Sequence, residues 1–327
     1  MKISSSLTGK SPEILVVGAG LTGISAASLL AQKKRVLVLD KGRQIGGRLA
    51  DHEIEGARFD KGGQFVTVRD DRFAKQVKIW RQKGVIKEWY RKVDGQSHET
   101  LRLRGLPNMR TLALDLAKKL NIYSYCRVEK IMKHSGQWRI LLENREQISA
   151  EAIILTPPVP QSIDLIDNDR VPITALVRQK LERITYDPCL AVMALLDSPS
   201  KIPAPGAVIP EHHAIDWISD NQQKGVSSMP AITIHASAEY SAKYSAEKKL
   251  HLAEQLIEYA NPWVGANVTK HQSHFWKYSK PIATHPEPFI VVNESPSLVI
   301  AGDAFAGPRI EGAFLSGWEA ANYLLEN

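Results

Sequence analysis

Ile14-Leu-Val-Val17, Gly18-Ala-Gly20-Leu-Thr-Gly23, Ile24 to Ala31 and Val36-Leu-Val-Leu39 follow one another near the start of the chain. A short apolar run bounded by glycine predicts a buried strand, small and apolar residues at helical spacing predict a helix, and the second apolar run predicts another strand. The order is strand, tight turn, helix, strand: a βαβ unit. Its three glycines have separate jobs. Gly18 permits the sharp bend, Gly20 lets a pyrophosphate approach the backbone, and Gly23 lets helix and strand pack closely. The helix start, with Leu21 and Thr22, supplies free N–H groups and partial positive charge for phosphates. Asp40 ends the second strand, 17 residues after Gly23, where its carboxylate can accept from both ribose hydroxyls of a dinucleotide.

Working outward, 327 residues are too many for one small core and predict one large or two interlocked domains. With 43% hydrophobic and 24% charged residues the chain is globular rather than disordered. The net charge of +7 leaves three partners open: nucleic acid, an anionic membrane surface, or a phosphate-bearing small molecule. Cys126 and Cys189 stand far apart without a Cys/His cluster, so neither a disulfide framework nor a metal site is expected. A reduced, cytoplasmic setting is the default. The longest apolar run, Cys189 to Leu196, has eight residues, against about 20 for a membrane span. Met1 to Pro12 lacks a secretory apolar core and reads as a loose lead. No basic run with interleaved aromatics argues for nucleic acid.

Further along, a short strand is expected through Phe59. Phe73, Val77 and Trp80 put a surface helix within Asp70 to Arg91. Leu101 to Arg104 alternates like a strand, and Thr111 to Leu120 reads as a helix capped by Asn108 or Thr111. Strands are expected around Tyr123 to Ile131, Trp138 to Leu142 and Ala152 to Leu155, the last ending in Thr156-Pro-Pro-Val-Pro160, which no helix or central strand can cross. Between Cys189 and Trp276 the pattern changes. Candidate strands at Leu190 to Leu196, Ile215 to Ser219, Ile232 to His235 and Gln272 to Trp276, with one helix from Glu247 to Tyr259, predict a mixed or antiparallel sheet. A strand at Leu298 to Ala301 and a helix from about Gly312 end the chain.

Arg43-Gln-Ile-Gly46-Gly47-Arg48 directly follows the acid; near the other end Ala301-Gly302-Asp303 ends a strand and Arg309-Ile-Glu311-Gly312-Ala313 opens the last helix. These two signatures resemble the flavin-containing amine oxidase superfamily. Within it, Asp60-Lys-Gly-Gly-Gln64-Phe65, Gly105-Leu-Pro-Asn-Met109, Thr156 to Gln161, Tyr186 to Cys189, Ile232 to Ser237 and Glu311 to Gly317 resemble, in order, the renalase family. Phe65 stands where tyrosine is common and Asp40 where glutamate is common. The resemblance implies an α/β fold: a Rossmann-like, glutathione-reductase-like FAD-binding domain from 1–72, 105–160 and 285–327, and an inserted α+β substrate domain from 73–104 and 161–284. Arg48 would neutralise the FAD pyrophosphate with Gly46 and Gly47 giving it room, Asp303 would bond the ribityl chain, and the last helix would point at the flavin pyrimidine edge. Lys41, Gly63, Gln64, Phe65, Val128, Gly302, Glu311, Gly312 and Ala313 complete the expected FAD contacts. No cysteine follows Cys189, so FAD is expected to be non-covalent.

The superfamily's amine oxidases usually carry a lysine, water-bridged to flavin N5, on a substrate-domain strand. The matching run Cys189 to Leu196 has none. The resemblance therefore implies hydride transfer from a reduced nicotinamide dinucleotide, the 2- or 6-dihydro isomer, to flavin N5, with O2 as the oxidant that gives hydrogen peroxide. His235 is the first candidate for orienting that substrate, with Trp217 and Trp276 as stacking walls. Lys277, next to Trp276, would face the other way by period-two alternation. An amine oxidase, a desaturase of an apolar substrate, or a non-enzymatic flavin redox sensor remain open. A monomer or weak dimer is expected, and the +7 then reads as attraction for phosphate-bearing small molecules.

Overall fold

In the computed structural model, which describes residues 7–93, 99–167 and 171–327, the βαβ unit forms from Ile14–Val17, Leu21–Leu30 and Val36–Leu39. The two strands run parallel, Ile14 opposite Val36. Ala152–Leu155 joins on the other side of Ile14–Val17 and Leu298–Ala301 lies beyond it, while Ile122–Tyr123 flanks Val36–Leu39, all parallel. Phe289–Asn293 closes one edge antiparallel, completing six strands. Both ends of the chain thus share one sheet.

The four central strands are buried at every residue because both faces are covered. Ile14 and Val16 pack among residues of the helices Leu21–Leu30 and Ile310–Glu326. Leu15 and Val17 pack instead against a three-stranded antiparallel sheet, Val128–His134, Gln137–Leu142 and Gln147–Ala150, which contributes the fully buried Trp138. The alternation of the strand sorts its side chains between these two cores.

A second, five-stranded sheet is antiparallel throughout: Ala207–Val208, Ile215–Asp220, Ala231–Ala236, Thr185–Leu196 and Val268–Ala283, in that spatial order. Leu190, Val192, Ala194, Ile232 and Ile234 face the helix Lys249–Val264. Met193, Leu195 and Ala231 face the other way, against the hairpin Asp51–Ile54/Ala57–Asp60.

Several expectations change. The helix within Asp70 to Arg91 stops at Gln82. Gly84, at φ +66°, turns the chain into a strand, Ile86–Tyr90, paired with Arg102–Gly105. The proline stretch after Leu155 also starts a helix, Val159–Asp167, because proline in a first turn removes an N–H that has no partner anyway. The helix Thr111–Ala117 has Arg110 at its cap and no side-chain capping bond, since Asn108 donates to Asp51 instead, at 3.0 Å. Of the lead Met1 to Pro12, residues 1–6 lie outside the described residues. Leu7 is buried and its N–H donates to Glu146 at 3.1 Å, so the lead is anchored at Leu7 and Pro12 rather than loose throughout, while Thr8, Gly9 and Ser11 stay exposed. Among the described residues no helix is long and apolar enough to cross a membrane.

Candidate active site

A cleft of about 1800 Å³ runs from the glycine turn to the five-stranded sheet. At the turn, Gly18 takes φ +103°, and a Cβ there would stand 2.5 Å from Thr156 Oγ1. A Cβ on Gly23 would stand 2.0 Å from the Gly18 carbonyl oxygen, so only glycine brings the helix this close to its strand. Gly20 differs: a Cβ there would meet nothing within 4 Å, because the bare backbone faces the cleft. The second glycine loop rests on the first. Gly46 N–H donates to Ala19 O at 2.8 Å, and a Cβ on Gly47 would stand 3.1 Å from Gly20 Cα. The helix Leu21–Leu30 has no side-chain cap at its start, which leaves its first N–H groups available to an anion.

Asp40 sits beside this turn and accepts from Ala19 N at 2.5 Å and Gly42 N at 2.6 Å. Burial raises its pKa against the pull of those two bonds. Arg48 draws three distant segments together, donating to Asp303 at 2.6 Å and to the carbonyls of Ser279 at 2.9 Å and Tyr278 at 3.3 Å. The two residues expected to take separate parts of one cofactor are therefore paired with each other. Arg110, which sequence reasoning missed, braces the loop from outside by donating to Ile45 O at 2.9 Å.

At the other end, the five-stranded sheet presents a row of neighbours: Trp217 opposite His235, His235 opposite Ala191, and Ala191 opposite His274. Cys189 opposite Trp276 lies two residues along on the same face. All three candidates, His235, Trp217 and Trp276, line the cleft, and so, against the expectation from alternation, does Lys277, next to Trp276 on the edge strand. Burial pulls the His235 imidazole down to about 4, so at neutral pH it is uncharged and its Nε2–H donates to Lys61 O at 3.0 Å. His274, also held to about 4 by burial, packs 4.1 Å from the Trp276 ring. Phe65 packs 5.7 Å from Trp217, with the Arg102 guanidinium 5.0 Å above it. Lys61 also lines the cleft. Its ammonium lies 5.6 Å from the Trp276 ring centre, and burial lowers its pKa.

Of the remaining expected contacts, Leu21, Thr22, Lys41, Gly63, Gln64, Val128 and Ala313 border the cleft. Gly23, Gly302, Glu311 and Gly312 do not, and they shape the backbone behind it. Gly302 N–H donates to Ser316 at 2.8 Å, and a Cβ on Gly312 would stand 2.0 Å from Gly307 O. The Glu311 carboxylate, 3% exposed, accepts from the main-chain N–H groups of Arg69 at 2.7 Å and Asp70 at 2.8 Å. Its work is to hold the start of the neighbouring helix, as its place after Arg309 did not reveal.

Residues 82–325 match the flavin-containing amine oxidoreductase family, and residues 16–77 match the NAD(P)-binding Rossmann-like domain family. The chain belongs to the flavin-containing amine oxidoreductase family. It is 22% identical to renalase of Mus musculus over 93% of this chain and 96% of that protein, a renalase-like member of the superfamily. A 4,4'-diapophytoene desaturase of Staphylococcus haemolyticus is 45% identical, but over 17% of this chain and 12% of its own. Putrescine oxidase with bound putrescine shares the fold at TM-score 0.68 and 13% identity, covering 97% of this chain and all of that one. The family's cofactor is a flavin, and the residues here fit one. The bare Gly20 backbone faces the cleft. Ten basic against six acidic side chains line the cleft along its whole length, an excess that favours a phosphate-bearing ligand. The volume is roughly twice what one drug-sized ligand needs.

Proposed function

We propose that the protein binds FAD non-covalently and oxidises aberrant reduced nicotinamide dinucleotides, the 2- or 6-dihydro isomers, to NAD(P)+. The flavin supplies the hydride acceptor, N5, and passes the two electrons to O2, which with one further proton yields hydrogen peroxide. We assign 1–72, 105–160 and 285–327 to the FAD-binding domain, and 73–104 and 161–284 to the substrate domain.

One observation carries the reading: Trp217, His235 and His274, cross-strand neighbours through Ala191, bring flat rings and two imidazoles uncharged at neutral pH to the cleft, and the strand Thr185–Leu196 has no lysine. A dihydropyridine releases hydride with its own ring nitrogen pushing, so it asks the protein for orientation and not for a base. Trp217, Trp276 and Phe65 would stack the substrate rings. Lys61 and Arg102 would meet its phosphates, while Arg48 serves the FAD pyrophosphate. Amine oxidation is the second reading, and Lys61 favours it, because it puts into the cleft a lysine of lowered pKa from a loop.

Anaerobic mixing with each donor separates the two. The 6-dihydro isomer of NAD is expected to bleach the flavin far faster than ordinary NADH and faster than a primary amine. Bleaching by the 2- and 6-dihydro isomers no faster than with NADH overturns the first reading, and bleaching by the amine, followed by steady turnover of it in air, establishes the second.

A further inference from the structure

The loop Asp60 to Phe65, which brings Gly62, Gly63 and Gln64 to the cleft, is held from behind by a charged pair that no solvent reaches. Lys224 Nζ lies 2.9 Å from Asp60 Oδ2, the two side chains being 0% and 1% exposed. The same ammonium donates to Gln64 Oε1 at 3.0 Å and lies 4.5 Å from the Trp89 ring centre. Every hydrogen-bonding position of the Gln64 amide is then engaged. Oε1 accepts from Lys224 and from Ser219 at 2.9 Å, and Nε2 donates to Asp60 O at 2.6 Å and Gly62 O at 3.0 Å. Gly63 N–H in turn donates to Arg48 O at 2.8 Å, joining this loop to the second glycine loop.

Burying an ammonium costs several kcal/mol that its ion pair offsets only in part. A methionine of similar length would fill the same space without that cost, so the charge calls for a purpose. We propose that Lys224 is a positioning residue: through Gln64 it sets the Gly62-Gly63-Gln64 backbone against the bound flavin. Lys224 does not line the cleft, so its effect passes through the amide it holds. The proposal rests on the flavin-binding reading and is independent of the electron donor.

Lys224→Met alone leaves Asp60 charged and buried, and is expected to lower the urea midpoint sharply. The decisive variant is therefore Lys224→Met with Asp60→Asn, which removes one charge of each sign and leaves the local net charge as it was. If Lys224 acts through Gln64, this variant regains most of the stability but binds FAD about three- to tenfold more weakly, as loss of one hydrogen bond predicts, with an altered visible flavin band. Ser219→Ala takes the other donor from Oε1 and leaves the ion pair whole; it is expected to move affinity and spectrum the same way. A wild-type spectrum and FAD affinity in the double variant, or in Ser219→Ala if the double variant does not fold, overturns the proposal. A wild-type chain that takes up no FAD overturns this proposal and the cofactor reading together.

Discussion

The glycine end of the cleft is held chiefly by short-range packing of backbone on backbone, whereas its opposite end is held by side chains reaching across the molecule. Gly18, Gly23 and Gly47 are confined by carbonyl oxygens, a threonine hydroxyl or a Cα within about one residue's breadth. At the far end, Asp60 N–H donates to Asn221 at 3.1 Å, its carbonyl accepts from Thr233 at 3.1 Å, and the Lys61 carbonyl accepts from His235 at 3.0 Å. A phosphate is the same in every dinucleotide, so a local and rigid solution serves it. A substrate ring differs from one enzyme to the next, and a site assembled from several distant strands can change one piece at a time.

The largest expected effect breaks the first end. Gly23→Ala places a methyl 2.0 Å from Gly18 O, and should destabilise the fold by about 3 kcal/mol in urea, the upper part of the overpacking range. Gly20→Ala sharpens the contrast: with nothing within 4 Å, it should melt like wild type yet lose flavin on gel filtration. Equal melting of the two variants would refute the division of labour between these glycines.

Arg48→Ala is next. It removes three hydrogen bonds that join the two ends and leaves Asp303 without its cation. FAD affinity is expected to fall about tenfold to a hundredfold, measured by flavin fluorescence on titration.

The last test concerns the far end alone. His235 lies near 4 in the folded chain against an ordinary 6.5. Between those values the unfolded chain binds a proton that the folded chain refuses, so stability falls as pH drops from 6.5 towards 4 and is unaffected by this group above 6.5. Thermal melts across that window should show a shallower slope for His235→Gln than for wild type. Identical slopes would mean the imidazole is not held neutral.

The legibility of the two ends follows their construction. The βαβ unit, the second glycine loop and the last strand and helix were readable because each is specified by neighbours a few positions apart. Trp217, His235 and Trp276 were readable as residue types, but only the cross-strand register of the folded sheet puts them on one face. Nothing near Lys224 in the chain marks it as buried; it follows Asn221-Gln-Gln, an ordinary polar loop. Asp60, its partner, belonged to a recognisable motif whose charge gave no sign of where the opposite charge would come from. The strand Val268–Ala283 was seen only at Gln272 to Trp276, because an edge strand with one wet side carries too many polar residues to read as a run.

The sequence by itself determined the dinucleotide turn, because backbone sterics at glycine and the period of apolar residues are local properties, and the resemblance of its motifs implied the family and a domain built from both chain ends. Only the tertiary structure decided that Arg48 pairs with Asp303, that Glu311 serves a neighbouring loop, and that Lys224 stands behind Gln64. Charges act on whatever the fold brings within a few ångströms, and sequence distance says nothing about that.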